Sequence, residues 1–195
     1  ADSWEEKSST RHTKNTLYVL NEKLEQIGIL ENIADDENLY AARFMGDKAY
    51  VVTFEQIDPL FVIDLSNPTQ PKILGELKIP GYSSYLQPYD ETHLIGIGQD
   101  TETETTRTGS TRTVTKGVKV SLFDVSDYTN PKEMYSLVLN DKSHTNASYN
   151  HKALLFSKEK NLLAFQLATY EKDQYKQEYV ILSIDETIFT STQAF

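Results

Sequence analysis

One hairpin is spelled twice in this chain, and that repetition constrains the fold more than any other feature. Leu60-Phe61-Val62-Ile63-Asp64-Leu65-Ser66, followed by Pro71-Lys72, returns as Val120-Ser121-Leu122-Phe123-Asp124-Val125-Ser126, followed by Pro131-Lys132. Each copy reads as a strand of branched and aromatic residues, an Asp-x-Ser exit, an Asn/Pro turn and a returning strand, Ile73 to Ile79 or Glu133 to Leu139. An Asp at a strand exit accepts a backbone N–H two residues on. Asp64 with Ser66 and Asp124 with Ser126 are therefore expected to fix turns, and repetition at equivalent positions argues against a single catalytic centre.

A second matching pair lies upstream of each copy. Tyr40 to Phe44, a Gly46-Asp47 turn and Ala49 to Phe54 correspond to Tyr85 to Tyr89, a turn around Asp90-Glu91 and His93 to Ile97. Each unit is thus four short antiparallel strands. A third unit follows with weaker spelling, as His151 to Phe156, Leu162 to Leu167, Tyr179 to Ile184 and Thr187 to Thr190, with Ser183 in the place of Asp64 and Asp124. Leu17 to Leu20 and Leu24 to Leu30 read as the last two strands of an earlier unit.

Four-stranded units recurring every 40 to 60 residues or so are the mark of a β-propeller, whose blades bury both sheet faces against their neighbours. A β-sandwich also strings short strands together, but would not repeat Asp-x-Ser…Pro-Lys in register. The expected fold is all-β: a propeller fragment of about three and a half blades in an open arc, with the rest of the propeller upstream. The half blade covers about residues 15–33, and the whole blades about 39–81, 83–141 and 149–192. An open arc leaves an apolar sheet face at each end, which predicts self-association.

Composition narrows the function classes. A net charge of −10 opposes binding to nucleic acid or an anionic membrane surface. The absence of cysteine removes disulfides, thiolate metal sites and a Cys nucleophile. No apolar run approaches the roughly 20 residues that span a bilayer, so membrane insertion by this segment is not expected. Twelve Tyr and eight Phe indicate a folded chain.

Four segments carry a resemblance to a known family: Tyr40-x-Ala42-Arg43-Phe44-x-Gly46-Asp47-x-Ala49-Tyr50, Asp58-Pro59-Leu60-x-Val62-Ile63-Asp64-Leu65-Ser66, Leu74-Gly75-Glu76-Leu77-x-x-Pro80-Gly81, and Tyr85-Leu86-x-Pro88-Tyr89-Asp90-x-x-His93-Leu94-Ile95-Gly96-Ile97-Gly98. They resemble the bacterial and archaeal family of secreted proteins with a C-terminal β-propeller distantly related to WD repeats. The resemblance implies a propeller and an extracellular or cell-surface setting, and it brings no reaction and no catalytic residues. It also implies a longer protein, with Trp4 at the end of the missing upstream portion.

Candidate sites are few. Asp35, Asp36 and Glu37, or Glu22 and Glu25, lack the spacing of a calcium loop, and His144 and His151 lack that of a helical zinc pair, so no metal or cofactor is expected. No Gly-x-Ser-x-Gly elbow or phosphate loop appears. Tyr82, Tyr85 and Tyr89, with His93 just after them, lie where one blade passes to the next; they suit either inter-blade packing or a patch for a peptide or sugar. Asp100 to Lys116 has Thr at nearly every second position and Gly109-Ser110 near its middle. This suits a protruding two-stranded ribbon, with Thr103, Thr105, Arg107 and Arg112 available to a partner, or else a disordered loop.

The functional reading is a non-catalytic recognition module that binds a protein or glycan through rim loops. The alternative is the propeller of a carbohydrate-active hydrolase or lyase, with carboxylates gathered in the central channel.

Overall fold

The computed structural model describes residues 13–54, 58–107, 109–171, 174–185 and 188–192. Trp4 and Thr187 lie outside them. Strands β1 (Leu17–Leu20) and β2 (Gln26–Leu30) form a two-stranded sheet. The first four-stranded sheet holds β3 (Asn38–Met45), β4 (Lys48–Phe54), β5 (Asp58–Asp64) and β6 (Lys72–Ile79). The second holds β7 (Tyr82–Pro88), β8 (His93–Thr105), β9 (Thr111–Asp124) and β10 (Lys132–Val138), and the third β11 (Leu154–Ser157), β12 (Leu162–Glu171), β13 (Gln174–Asp185) and β14 (Ile188–Thr192). Each is an antiparallel meander. Two single-turn 3₁₀ helices, Asn146–Ser148 and His151–Ala153, precede β11.

The middle strands are apolar on both faces because each face meets a different neighbour. Along β4, Ala49 and Val51 join a core with Ile33, Leu17 and Leu30, while Tyr50 and Val52 join Leu86, Leu94 and Phe123 of the second sheet. Along β8 and β9, Ile95, Ile97, Val118 and Val120 join Leu163, Phe165 and Leu182 of the third. Period-two alternation thus feeds two cores from one strand, and each fully buried Leu, Ile, Val or Phe contributes roughly 1.5–3 kcal/mol. Burial in this core pushes the Tyr50 phenol up to about 12.

Each core joins one sheet to the next along the chain. Among the described residues none joins the third sheet back to β1 and β2, so the blades form an arc. Tyr18, Leu20 and Ile29 are exposed at one end of it, and Leu155 and Tyr179 at the other. The inner strands β3 and β7 lie side by side, whereas β6 and β10 meet at few residues, which puts β3 and β7 toward the axis.

At the strand exits Asp64 Oδ1 accepts the Ser66 N–H at 3.1 Å and Asp124 Oδ1 accepts that of Ser126 at 2.8 Å. A second such turn follows each, from Asn67 to Thr69 and from Asp127 to Thr129. The Ser66 backbone bond, with its hydroxyl and Lys48, lowers Asp64 to about 2. Lys48 Nζ lies 3.2 Å from Asp64, 2.7 Å from Asp47 and 4.9 Å over the Tyr128 ring, and so ties the first blade to the loop of the second.

The third blade departs from this plan. Leu162 pairs with Ser183 as Lys48 pairs with Asp64, so Ser183 holds the register position of the two aspartates. Without the Asp-x-Ser turn the ladder runs on to Asp185↔Ile188. The inner strand also starts later than the sequence pattern suggests: Asn150 accepts the Lys152 N–H with its side chain and turns His151–Ala153 into a 3₁₀ helix, leaving only Leu154–Ser157 as strand.

The described residues of the Thr-rich segment form a two-stranded ribbon. β8 and β9 continue past the sheet through Thr101↔Thr115, Thr103↔Thr113 and Thr105↔Thr111 to a turn where Thr106 donates to Ser110 at 2.7 Å. Polar side chains do not bar burial at its root: Thr101 is buried, and its Oγ1 accepts the Gly81 N–H at 3.0 Å.

Candidate functional site

In a four-strand meander the first strand starts at the end where the second strand finishes and the third begins. The starts of β3 and β7 therefore lie on the same face as the β8–β9 ribbon. A cleft of about 640 Å³ opens there. Its first wall is Leu39 and Tyr40 of β3, its second Tyr82, Ser84 and Tyr85 of β7 with Gln99 of β8 behind them.

Backbone irregularities aim these side chains. Leu39 and Ala41 pair with the adjacent residues Thr53 and Val52, leaving Tyr40 as an extra residue. Ser83 and Tyr85 pair with adjacent Gly98 and Ile97, leaving Ser84 extra at the equivalent place. Such bulges re-aim side chains and interrupt the ladder. The Tyr82 ring is held between Tyr40 and Phe54, with centroids 4.6 and 4.8 Å away.

The third wall fills the space where the third blade lacks the start of an inner strand. Here the chain coils through the two 3₁₀ helices and presents His144, Thr145, Ser148, Tyr149 and His151 to the cleft. It is pinned to β12 by reciprocal His144–Ala168 backbone bonds of 2.9 Å, and Thr145 Oγ1 donates to the Gln166 carbonyl at 2.6 Å. β12 and β13 also extend beyond the sheet, to Tyr170↔Tyr175 and Glu171↔Gln174. A second hairpin thus stands on this face, with the Tyr175 ring 6.4 Å from His144.

The sequence-selected residues divide between the two faces. Tyr82 and Tyr85 line the cleft, and the Tyr85 hydroxyl donates to Gln87 Oε1 at 3.0 Å. Tyr89 lies beyond the far end of β7, about 20 Å along a strand of this length from Tyr82. It is buried, its hydroxyl donates to Asn161 at 3.0 Å, and Lys158 Nζ sits 3.2 Å over its ring. His93 Nδ1 lies 2.8 Å from Asp90 Oδ1 on that same far side. Burial works against the Asp90 carboxylate, yet the Thr92 backbone bond and His93 hold it below the usual carboxylate range. Tyr89 is part of the blade-to-blade junction, and His93 closes the turn beside it through Asp90 and Thr92.

Thr103, Thr105, Arg107 and Arg112 are all exposed on the ribbon. Arg112 bridges across it to Glu104 at 2.9 Å, as Lys116 does to Glu102 at 2.9 Å. Sequence reasoning missed Tyr40, Gln99, Ser148 and Tyr149 as site residues. The readable signal was the polar stretch Asp141 to Asn150, longer than a blade linker needs. Among the described residues no group of three or more His, Asp or Glu is arranged to hold a metal.

Residues 1–194 match the model of a family described as a beta propeller domain. The chain belongs to that family. An uncharacterised protein of Archaeoglobus fulgidus is 46% identical over 144 residues, which cover 74% of this propeller chain and 21% of the relative. Another, from Methanocaldococcus jannaschii, is 48% identical over 126 residues, covering 65% of this chain and 18% of that one. The propeller chain thus matches about a fifth of the length of these relatives. A crystal structure of a protein from Lactobacillus plantarum aligns over 94% of this chain and 82% of its own at 13% identity and a TM-score of 0.29.

Proposed function

We propose that this propeller segment is a non-catalytic recognition module of an exported or cell-surface protein, taking a protein or glycan on the face where β3 and β7 begin. The observation that carries the reading is the cleft between three blades, walled by tyrosines and flanked by two projecting hairpins. Such convergence of aromatic and polar side chains from separate elements is the usual make-up of a ligand site. The ribbon adds exposed Thr103, Thr105, Arg107 and Arg112 at the edge of the same face. The aspartates with lowered pKa, Asp64, Asp90, Asp124 and Asp127, are engaged in turn hydrogen bonds, which fits a scaffold role better than proton transfer.

The test is capture on arrays of glycans and surface proteins, using the whole chain and a variant with residues 103–113 replaced by Asn-Gly. That replacement closes the hairpin at Glu102↔Val114 and keeps buried Thr101. Capture that survives both the ribbon variant and Tyr82→Ala would remove this face from the function.

A further inference from the structure

We infer that the cleft between the β3, β7 and 141–151 walls is a subsite for a neutral oligosaccharide, an inference that rests on the recognition reading above. Three features of the cleft select this ligand class.

The first is its charge. The walls are tyrosine, leucine, serine, threonine, glutamine and histidine, in a chain of net charge −10. On the ribbon beside the cleft, Glu104 pairs with Arg112 and Glu102 with Lys116. Among the described residues no Asp, Glu, Lys or Arg lines the walls, so an ionic ligand would give up water without a carboxylate, ammonium or guanidinium partner there, whereas a neutral one buries no charge.

The second is the pair of oxygen atoms that lack partners. Gln99 Oε1 and Ser148 Oγ are buried without a hydrogen bond among the described residues, and both residues line the cleft from different walls. A buried polar atom without a partner is costly and calls for an explanation. A change of side-chain rotamer that turns each oxygen from its buried position into the cleft would let ligand hydroxyls donate to both.

The third is the mixture of ring faces and interrupted backbone. Tyr40 is 38% exposed and Tyr149 79% exposed, so flat apolar faces are available beside the two acceptors. A sugar ring presents C–H groups on its faces and hydroxyls at its edge, which matches that arrangement. An extended peptide would instead use the open edges of β3 and β7 as a ladder. The irregularities at Tyr40 and Ser84 break those edges inside the cleft.

The test is titration calorimetry of the whole chain with maltotetraose, cellotetraose, mannotetraose, N,N′,N″,N‴-tetraacetylchitotetraose and, as the acidic comparison, tetragalacturonate. At least one neutral tetrasaccharide is expected to bind. Tyr149→Ala should weaken it about 3- to 10-fold, the loss of one aromatic contact. Ser148→Ala is the discriminating variant: binding should weaken while the melting temperature holds or rises, because an unpartnered hydroxyl is removed. A merely structural serine would lose stability and leave affinity alone. Binding confined to tetragalacturonate, or neutral binding unchanged in both variants, overturns the inference. If no sugar binds but a protein is captured and lost with Tyr82→Ala, the glycan assignment fails and the recognition reading stands. Capture of nothing by this face sinks both.

Discussion

Gly75→Ala tests how the blades are held together. Gly75 on β6 pairs with Val62, and Gly28 on β2 pairs with Val19, at the equivalent register position. Each lies directly beneath the turn loop of the next blade. A Cβ on Gly75 would stand 2.6 Å from the Tyr128 carbonyl oxygen and 2.7 Å from that of Thr129; on Gly28 it would stand 2.1 Å from the Pro68 oxygen. These are backbone atoms, so no rotamer change relieves the clash and the blades must separate. In the second blade the position belongs to Tyr135, paired with Leu122 as Gly75 is with Val62, and there the following blade has only the short Asp185↔Ile188 hairpin. The glycine goes with the long loop it must admit.

Overpacking of this kind costs about 1–3 kcal/mol. Restricting the unfolded chain returns about 0.4–1 kcal/mol of it. The net loss expected for Gly75→Ala is about 1–2 kcal/mol, which for a chain of this size lowers the melting temperature by about 2–8 °C. Differential scanning calorimetry and urea unfolding read both quantities. A variant melting at or above the wild-type temperature would refute the close-contact argument, since the entropic effect alone predicts that outcome.

Three further outcomes are expected. Asp64→Asn keeps the turn acceptor but loses the charge beside Lys48; because the folded pKa of Asp64 is depressed to about 2, its contribution is full above the unfolded value of about 3.9 and fades as pH falls toward 2. Urea midpoints of wild type and variant should therefore differ at pH 7 and converge near pH 2, and a gap that widens on acidification would contradict the sign. Thr101→Val leaves the buried Gly81 N–H without its acceptor and should cost about 1–3 kcal/mol by thermal melting, with no change counting against the ribbon-root bond. The exposed apolar ends of the arc should pair at high concentration, so sedimentation velocity is expected to show a dimer that Tyr179→Lys weakens; a strict monomer would speak against it.

Much of the architecture was legible in the chain because it is local. Strand alternation, the Gly46-Asp47 turn and the Asp-x-Ser exits are determined by residues within a few positions of one another, and a second copy distinguishes them from chance. The substitution of Ser183 for aspartate was visible too, but not its consequence, a ladder that runs on to Asp185↔Ile188. Gly28 and Gly75 carried a further repeat signal whose meaning needs the neighbouring blade, since what each glycine avoids lies on a loop about 40 to 55 residues downstream.

The candidate site was legible only in pieces. Sequence proximity grouped Tyr82, Tyr85, Tyr89 and His93, yet one strand rising about 3.3 Å per residue separates Tyr82 and Tyr85 from Tyr89 and His93 onto opposite faces of the propeller. The residues that do meet, Tyr40, Tyr82, Gln99, Ser148 and Tyr149, come from three blades. Short-range patterning by itself determined that this chain folds into blades, where they turn and which of their faces are apolar. Blade stacking alone decided which polar and aromatic side chains share a cleft, because contacts between successive sheets are set by packing across chain distances that no local periodicity records.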